Sequence, residues 1–187
     1  MINEKLVYSL QIDNSKNEMT FFFISKGEKD IIKAIQYSFV QELYGKQLFN
    51  LGFGDYDLEN DKIRDDIDSN NNDVYKVFNT VLSTIPLFFE KHKSDFLIVN
   101  GSDGHKEFIN QCLMSCIKKC TNNCKKYNRR ISVYRGYVDK NLDLLCIDYQ
   151  FFGGIKDNFG NVAFENYKKY NKYDSVLLLN KNSNFTL

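Results

Sequence analysis

The sequence has no tryptophan, one proline and two histidines in 187 residues, and it contains no long apolar run. A membrane-spanning helix needs about 20 consecutive apolar residues. The closest approach, TVLSTIPLFFE, is shorter and is interrupted by polar residues. The amino terminus also lacks the apolar segment of a secretory signal. We therefore expect no membrane partner and a cytoplasmic location.

An excess of charge of one sign is also missing. There are 25 Lys and Arg against 24 Asp and Glu, which gives a formal charge of +1, whereas proteins that neutralise many phosphates are usually strongly basic. Five cysteines, an odd number without a framework spacing, favour a reducing compartment over a disulfide-stapled secreted protein. With 43% hydrophobic and 15% aromatic residues, the chain can build a core, and we expect one domain over residues 1–187.

Two different spacings of apolar residues predict which segments are strands and which are helices. Apolar residues spaced by three and four predict a helix over 73–91, which Pro86 would kink or end, and a second helix over 105–120. Alternation or short apolar runs predict strands at 4–13, 19–25, 31–40, 48–58 and 96–102. Downstream, RRISVYRGYV and LDLLCIDYQFF are interpreted as a hairpin, and VAFENYKKYNKY as a helix. The order predicts an α+β fold, with a mainly antiparallel sheet and two principal helices packed on it.

Four of the five cysteines recur at every fourth residue of CLMSCIKKCTNNC, at positions 112, 116, 120 and 124. On a helix these steps spread over about 18 Å of axis, which is too far for one tetrahedral metal ion. We therefore predict no metal site and no cofactor, and the alternative is an adjacent pair assisted by His92 or His105. Cys112, Cys116 and Cys120 continue an apolar helix face and are expected in the core. Cys124 is expected to be the most reactive thiol.

The turn NGSDGHK, residues 100–106, follows a predicted strand and opens the second helix. Backbone amides there, with Gly101, Ser102, Gly104 and Lys106, form a candidate anion site at a helix N-terminus. The spacing of a phosphate-binding loop is absent, so the alternative is an ordinary strand-to-helix turn.

Seven aspartates crowd residues 55–73. A cation site or an acid–base pair is one interpretation, but the central glycine and closing glutamate of an EF-hand are missing. A solvated acidic loop over 59–73 is therefore favoured, and no catalytic residue is identified.

The stretch KKCTNNCKKYNRR, residues 118–130, holds six cations and one tyrosine. This composition is typical of a patch for RNA or single-stranded nucleic acid, with the candidate residues Lys125, Lys126, Tyr127, Arg129 and Arg130. The alternative is a helix C-terminus, which attracts Lys and Arg through the helix dipole. The sequence alone favours this alternative.

Three segments, NLGFGDYDL, SNNNDVYKVFNTV and FLIVNGS, resemble a family of small bacterial proteins of unknown function, of a type common in Bacteroidota. The resemblance covers about residues 19–155, which leaves 156–187 as an extension. Its pattern has an aromatic strand ending in Ser and Gly, an NLGFGD box, a SNNxDxxKVxxTV helix start and a Gly-Ser turn before a helix bearing Arg. This chain has Lys106 and no Arg in that helix. The resemblance implies no established activity.

The order of elements is also distantly similar to the second half of the GNAT acyltransferase fold. The coenzyme A loop of that fold is missing, because SNNNDV stands where the loop would precede the first helix. Order alone does not carry an activity.

These features predict a non-enzymatic binding or interaction module, as part of a bacterial defence or toxin–antitoxin gene pair, with a protein partner or a second copy of the chain. Two alternatives stay open. One is a GNAT-like acyltransferase that uses acyl-coenzyme A, and the other is a binder of RNA or single-stranded nucleic acid through residues 118–130.

Overall fold

The computed structural model describes residues 6–13, 19–64, 71–104, 106–114, 119–120, 124–157, 159–183 and 185. The chain forms two compact units, Met1–Asp95 (unit 1) and Phe96–Leu187 (unit 2). The described residues contain nine strands and three helices. The predicted α+β class with a mainly antiparallel sheet is confirmed, whereas the expectation of one domain stays a prediction. None of the helices in these residues is long and apolar enough to span a membrane.

Unit 1 contains five strands and one helix, which are β1 (Gln11–Asp13), β2 (Met19–Ser25), β3 (Ile31–Leu43), β4 (Lys46–Asp57), β5 (Lys62–Arg64) and α1 (Val74–Lys91). Each strand pairs antiparallel with the next one along the chain. The strands predicted at 19–25, 31–40 and 48–58 and the helix predicted over 73–91 are confirmed. β5 corrects the loop predicted for 59–73, because Lys62–Arg64 pair with the end of β4.

One long hairpin joins β3 and β4 around Tyr44 and Gly45. Both central residues have positive φ, 51° and 72°, which is the requirement of a type I′ turn. A bulge interrupts the pairing between Phe39 and Gln41. Tyr-Gly is a weaker hairpin signal than Asn-Gly, so the two strands were predicted but not their connection.

The core of unit 1 lies between α1 and the strand face that carries Phe21, Phe23 and Tyr37. The Tyr37 ring stacks on Phe88 of α1 at 4.7 Å between ring centroids. Its hydroxyl lies 2.7 Å from the Thr84 hydroxyl, so the buried polar end of the ring is satisfied. The helix residues that are buried here are Val77, Thr80, Val81, Thr84, Ile85, Phe88 and Phe89.

Pro86 does not end α1, which continues to Lys91. A proline inside a helix removes one backbone donor. Beyond it, Phe88 and Phe89 are both buried. Their burial stabilises the last turns and compensates for the lost hydrogen bond.

Unit 2 consists of β6 (Phe96–Asn100), α2 (Lys106–Met114), α3 (Arg129–Leu145), β7 (Tyr149–Lys156), β8 (Val162–Asn166) and β9 (Ser175–Asn180), followed by a short 3₁₀ helix, Lys181–Ser183. Its strands lie in the order β6, β9, β7, β8, and all three pairings are antiparallel. The apolar run SVLLL becomes β9, whose residues Ser175–Leu179 are all buried.

The hairpin predicted from RRISVYRGYV is wrong, because this segment is the first half of α3. Its apolar residues alternate like those of a strand, yet only Ile131 of the whole helix is buried. Ile131, Tyr134, Val138, Leu142 and Leu145 also recur at three and four, so the segment carries a helical period that the hairpin prediction did not use.

The helix predicted from VAFENYKKYNKY is also wrong. Val162–Asn166 form β8 and pair with β7. Tyr167 then donates its backbone N–H to the Phe151 carbonyl over 3.0 Å. Pairing with a distant strand therefore overrides the local pattern.

The second predicted helix is shorter than expected. α2 ends at Met114 among the described residues, and Lys119 has a left-handed φ of 48° that does not fit a continuous helix. A helical stripe of cysteines through Cys120 is therefore excluded.

Candidate functional site

The turn that follows β6 is hydrogen-bonded to the first residues of α3. Asp103 in this turn is buried, with 3% of its surface exposed. Its Oδ2 atom accepts a hydrogen bond from the backbone N–H of Arg130 at 2.9 Å, and its carbonyl accepts one from Asn128 at 3.2 Å. Asp103 therefore satisfies N-terminal donors of α3, as an N-cap side chain does within a helix.

Two of the predicted sites meet at this point. The guanidinium of Arg130 donates to the hydroxyl of Ser102. A Cβ on Gly101 would lie 3.0 Å from the Ile131 backbone nitrogen, and a Cβ on Gly104 would lie 2.5 Å from the Asn128 side-chain oxygen. Both glycines thus let the turn approach α3 closely.

The N-terminus of α3 holds an anionic group that the chain itself supplies. The carboxylate of Asp103 occupies the N-terminus of α3, where a bound anion is favoured. Sequence reasoning placed the site at α2 and missed this carboxylate. Lys106 is the first residue of α2, but its side chain, like all of His105, lies outside the described residues.

The basic stretch leads into the N-terminus of a helix. Residues 124–128 precede α3, and Arg129 is its first residue. Lys125 and Arg129 are exposed, and the Tyr127 ring is 43% exposed. The positive end of a helix dipole repels cations. For Lys125–Arg130 the dipole explanation of the basic residues therefore fails.

The two units also differ in charge. Residues 1–95 contain 11 Lys and Arg against 16 Asp and Glu, a formal charge of −5, whereas residues 96–187 contain 14 against 8, a formal charge of +6. The near-neutral total therefore hides a basic unit that contains the basic stretch. Because of this asymmetry, the near-neutral net charge of the chain does not argue against an anionic partner for unit 2.

A polar cluster in unit 1 lies at the start of α1. Asp73 Oδ2 accepts hydrogen bonds from the Tyr8 hydroxyl at 2.8 Å and the Ser25 hydroxyl at 2.7 Å. The Asn71 side-chain amide donates to Ser25 Oγ at 2.9 Å and to the Lys29 carbonyl at 3.1 Å. These contacts join the end of β2 to the residues that precede the helix.

Tyr8 lies at the centre of this cluster. Its backbone N–H donates to Thr80 Oγ1 at 2.9 Å, and the Lys76 ammonium lies 4.1 Å from its ring centroid. Burial, and then the hydrogen bond to Asp73, raise the pKa of the Tyr8 hydroxyl. Sequence reasoning missed this residue, because a lone tyrosine in an N-terminal segment carries no spacing signal.

The segments that carry the family resemblance meet in this cluster. Asn71, Asp73, Lys76 and Thr80 come from the SNNxDxxKVxxTV box, and Ser25 ends the aromatic strand. A Cβ on Gly27 would lie 2.3 Å from the Asn71 side chain. Each of these residues thus contributes to joining β2, Tyr8 and α1, which is a structural role.

The NLGFGD box contributes a buried ion pair. Its Asp55 pairs with Lys33 on the neighbouring strand, and both side chains are more than nine-tenths buried. A removed partner would leave an uncompensated buried charge, so such a pair acts as a unit. An open hollow of about 250 Å³ beside it is lined by Asp55, Tyr56, Asp57, Glu59 and Arg64.

In the described part of the acidic segment, local hydrogen bonds shape the turn between β4 and β5. Asp57 accepts hydrogen bonds from the side chain and backbone of Asn60, and these lower the pKa of its carboxyl group. Tyr56 donates to Asp61. No group of three or more His, Cys, Asp or Glu suited to hold a metal occurs within the described ranges.

The cysteines do not form the predicted buried stripe. Cys112, Cys120 and Cys124 are all half-buried, so the core prediction is wrong for Cys112 and Cys120. Cys116 lies outside the described residues. The helix stops before Cys120, which brings the sulfur atoms of Cys112 and Cys124 to 3.4 Å.

Comparison with curated proteins and with solved structures gives no significant match. A family of unknown function, DUF6934, matches residues 4–125. The match includes all of unit 1, except its first three residues, together with β6, α2 and Lys125. The last part of the basic stretch, from Lys126 to Arg130, and the whole of α3 follow it. Because more than half of the chain is matched, the protein belongs to the DUF6934 family of unknown function.

Proposed function

We propose that the chain is a non-enzymatic binding module whose ligand is single-stranded nucleic acid, held at the N-terminal end of α3. The observation that carries the proposal is the position of Lys125, Arg129 and Arg130 at the positive end of this helix. Asp103 supplies one negative charge at this helix end, but three cations and the positive end of the dipole leave an excess of positive charge that an anionic ligand would neutralise.

The exposed ring of Tyr127 favours single-stranded nucleic acid as the ligand. Tyr127 lies among the cations with 43% of its surface exposed. Bases stack on such rings while Lys and Arg neutralise the backbone, and this combination is typical of single-strand binding. An acidic protein would need the cations but not the ring.

The first turns of α3 offer room beside these residues. Arg129, Gly136 and Lys140 share one exposed helix face by their spacing. A Cβ at Gly136 would have no neighbour within 4 Å. A nucleic-acid backbone can therefore approach the helix closely along this face.

Fluorescence anisotropy with labelled oligothymidine and oligouridine tests the proposal. We expect binding that weakens with salt, with a slope of log affinity against log salt of about −0.7 for each neutralised phosphate. The double variant Lys125→Ala/Arg129→Ala should lose affinity and flatten that slope. Tyr127→Ala should lose affinity without changing the slope.

A matched control uses Lys156→Ala/Lys172→Ala, which removes two exposed cations from the same unit. We expect this variant to bind nearly as tightly as the unchanged chain. Equal weakening by both double variants would show a non-specific charge effect, and no binding at low salt would refute the proposal.

The other functions give different results. An acyltransferase of the GNAT type predicts tight binding of acetyl-coenzyme A in calorimetry. A module that binds a second copy predicts a dimer mass in light scattering. A component of a defence or toxin–antitoxin pair predicts a stable complex with the product of the adjacent gene.

A further inference from the structure

Two cysteines that are twelve residues apart in sequence have their sulfur atoms in contact. Cys112 Sγ, on α2, and Cys124 Sγ, just before the turn into α3, lie 3.4 Å apart. Both residues are half-buried, so an oxidant can reach them. We propose that Cys112 and Cys124 are a redox modification site, a dithiol that hydrogen peroxide or a similar hydroperoxide oxidises to a disulfide.

The required movement is small. A disulfide bond is about 2.05 Å long, so the two sulfur atoms must approach by little more than one ångström. Neither cysteine belongs to a strand, and Cys124 lies outside the helices. We expect side-chain rotation and a shift of the turn to close the bond.

The other described cysteines have different surroundings. Cys120 Sγ accepts a hydrogen bond from the Lys125 backbone N–H at 3.4 Å. Cys146, at the C-terminal end of α3, has its pKa raised by burial, which disfavours the reactive thiolate. The contact distance therefore selects Cys112 as the partner of Cys124.

The reaction consumes one peroxide for each disulfide. One thiol loses its proton, its thiolate attacks a peroxide oxygen, and the O–O bond breaks. The departing hydroxide takes up a proton, so the products are a sulfenic acid and one water. The second thiol then attacks the sulfenic sulfur, which forms the S–S bond, breaks the S–O bond and releases a second water. The two cysteines lose two electrons and the peroxide gains them.

The disulfide would connect α2 to Cys124, in the middle of the basic stretch 118–130. This consequence follows from the covalent link alone and does not depend on nucleic-acid binding. Oxidation would therefore restrict residues 112–124 in a loop closed at both ends.

Peptide mapping tests the proposal on the full chain. The protein is treated with hydrogen peroxide, remaining thiols are blocked with N-ethylmaleimide, and tryptic peptides are analysed without reduction. Cleavage after Lys106, Lys119 and Lys125 leaves Cys112 and Cys124 on separate peptides, although Cys116 and Cys120 accompany them. Single Cys→Ser variants therefore assign the bond.

We expect the cross-linked peptide in the oxidised chain, and its loss in Cys112→Ser and in Cys124→Ser. Cys116→Ser, Cys120→Ser and Cys146→Ser should keep it. Dimedone should trap a sulfenic acid at Cys124 in Cys112→Ser or at Cys112 in Cys124→Ser, because the resolving thiol is missing. Circular dichroism confirms that each variant folds, and Cys→Ala variants replace any that do not.

Three results would overturn the proposal. One is loss of the link in Cys116→Ser or Cys120→Ser but not in Cys112→Ser. Another is a disulfide that involves Cys146. The third is recovery of unmodified Cys112 and Cys124 after oxidation that sulfoxidises the methionines of the same sample.

Discussion

The helices α1 and α3 have nearly the same length, 18 and 17 residues, but they are attached to their units in opposite ways. α1 buries seven residues, most of them apolar, whereas α3 buries only Ile131. The other apolar residues on its inner face are only half-buried. Polar contacts add to them: Arg135 donates to the Tyr173 carbonyl at 3.0 Å, and Asp139 accepts from the Tyr167 hydroxyl at 2.9 Å.

The difference teaches how stability and binding are distributed. Apolar burial is the larger and less specific contribution to stability, so α1 is expected to dominate the stability of unit 1. A helix held by polar contacts keeps most of its surface exposed. That surface is free to carry the charged residues that a ligand contacts, and α3 carries them.

The largest expected effect comes from the centre of the α1 contact. Phe88 has no exposed surface and packs on Tyr37, Phe49 and Phe89. Phe88→Ala should lower the free energy of unfolding by about 3–5 kcal/mol, because it leaves a cavity. Urea denaturation measures the loss.

The matched variant on α3 is Leu144→Ala, since Leu144 is 67% exposed. We expect a change within about 0.5 kcal/mol. Similar losses from Phe88→Ala and Leu144→Ala would contradict the comparison.

A second variant removes the carboxylate that precedes α1. Asp73→Ala leaves the buried Ser25 hydroxyl and the half-buried Tyr8 hydroxyl without their acceptor. We expect a loss of about 1–3 kcal/mol, which is the usual cost of an unsatisfied buried polar group.

The control for Asp73→Ala is Asp143→Ala on α3. Asp143 pairs with Lys169 at 2.9 Å but is almost fully exposed, and exposed ion pairs contribute little. Thermal denaturation should place this variant close to the unchanged chain. A larger loss of stability from Asp143→Ala than from Asp73→Ala would refute the structural role of the polar cluster at the start of α1.

A loss of stability at alkaline pH is expected in unit 2, where Tyr167 lies. Burial, and then hydrogen bonding to Asp139, raise the pKa of Tyr167 above its ordinary value of 10.0. A raised pKa in the folded state means that the associated stability is complete below the unfolded pKa and is lost as pH rises above it. We therefore expect stability to fall as the pH increases above about 10.

Tyr167→Phe separates this titration from the others. Phenylalanine keeps the ring but cannot ionise, so the alkaline loss of stability should be shallower than in the unchanged chain. Denaturant midpoints measured from neutral to alkaline pH give the two slopes. Identical slopes would show that Tyr167 does not contribute.

The smallest expected effect concerns the exposed face of α3. Gly136 lies inside the helix, and an added Cβ there meets nothing within 4 Å. Gly136→Ala should raise the free energy of unfolding by about 0.5–1 kcal/mol, because alanine favours the helix. Gly101→Ala is the contrasting variant and should destabilise, since its Cβ would lie 2.9 Å from Asp103 Oδ1.

The same contrast explains what the sequence could predict. The apolar stripe of α1 encodes its burial directly, so its bounds of 73–91 were predicted to within one residue. The strands β2, β3 and β4 were predicted for the same reason. β8 was not, because its pairing with β7 leaves no period in the local sequence. α3 was missed although its half-buried apolar residues recur at three and four, because the alternation at its start favoured a strand.

The residues of the turn and of α3 were named as separate candidate sites, and their binding roles stay predictions. Gly101, Ser102, Gly104 and Arg130 were all candidates, yet no spacing rule connects a turn at 101–104 with a helix that begins at 129. Asp103 lies in the same turn, NGSDGHK, but it was not among the candidate residues. Its role depends on α3, which was predicted as a hairpin.

The capping of α3 by Asp103 has a consequence for competition between ligands. A tethered carboxylate acts at an effective concentration, which for a short connection is in the millimolar range or above. Free phosphate must exceed that concentration to take the backbone N–H of Arg130 from Asp103. Small anions should therefore compete weakly at the helix end, while a polymer that engages several cations at once gains avidity without displacing the carboxylate.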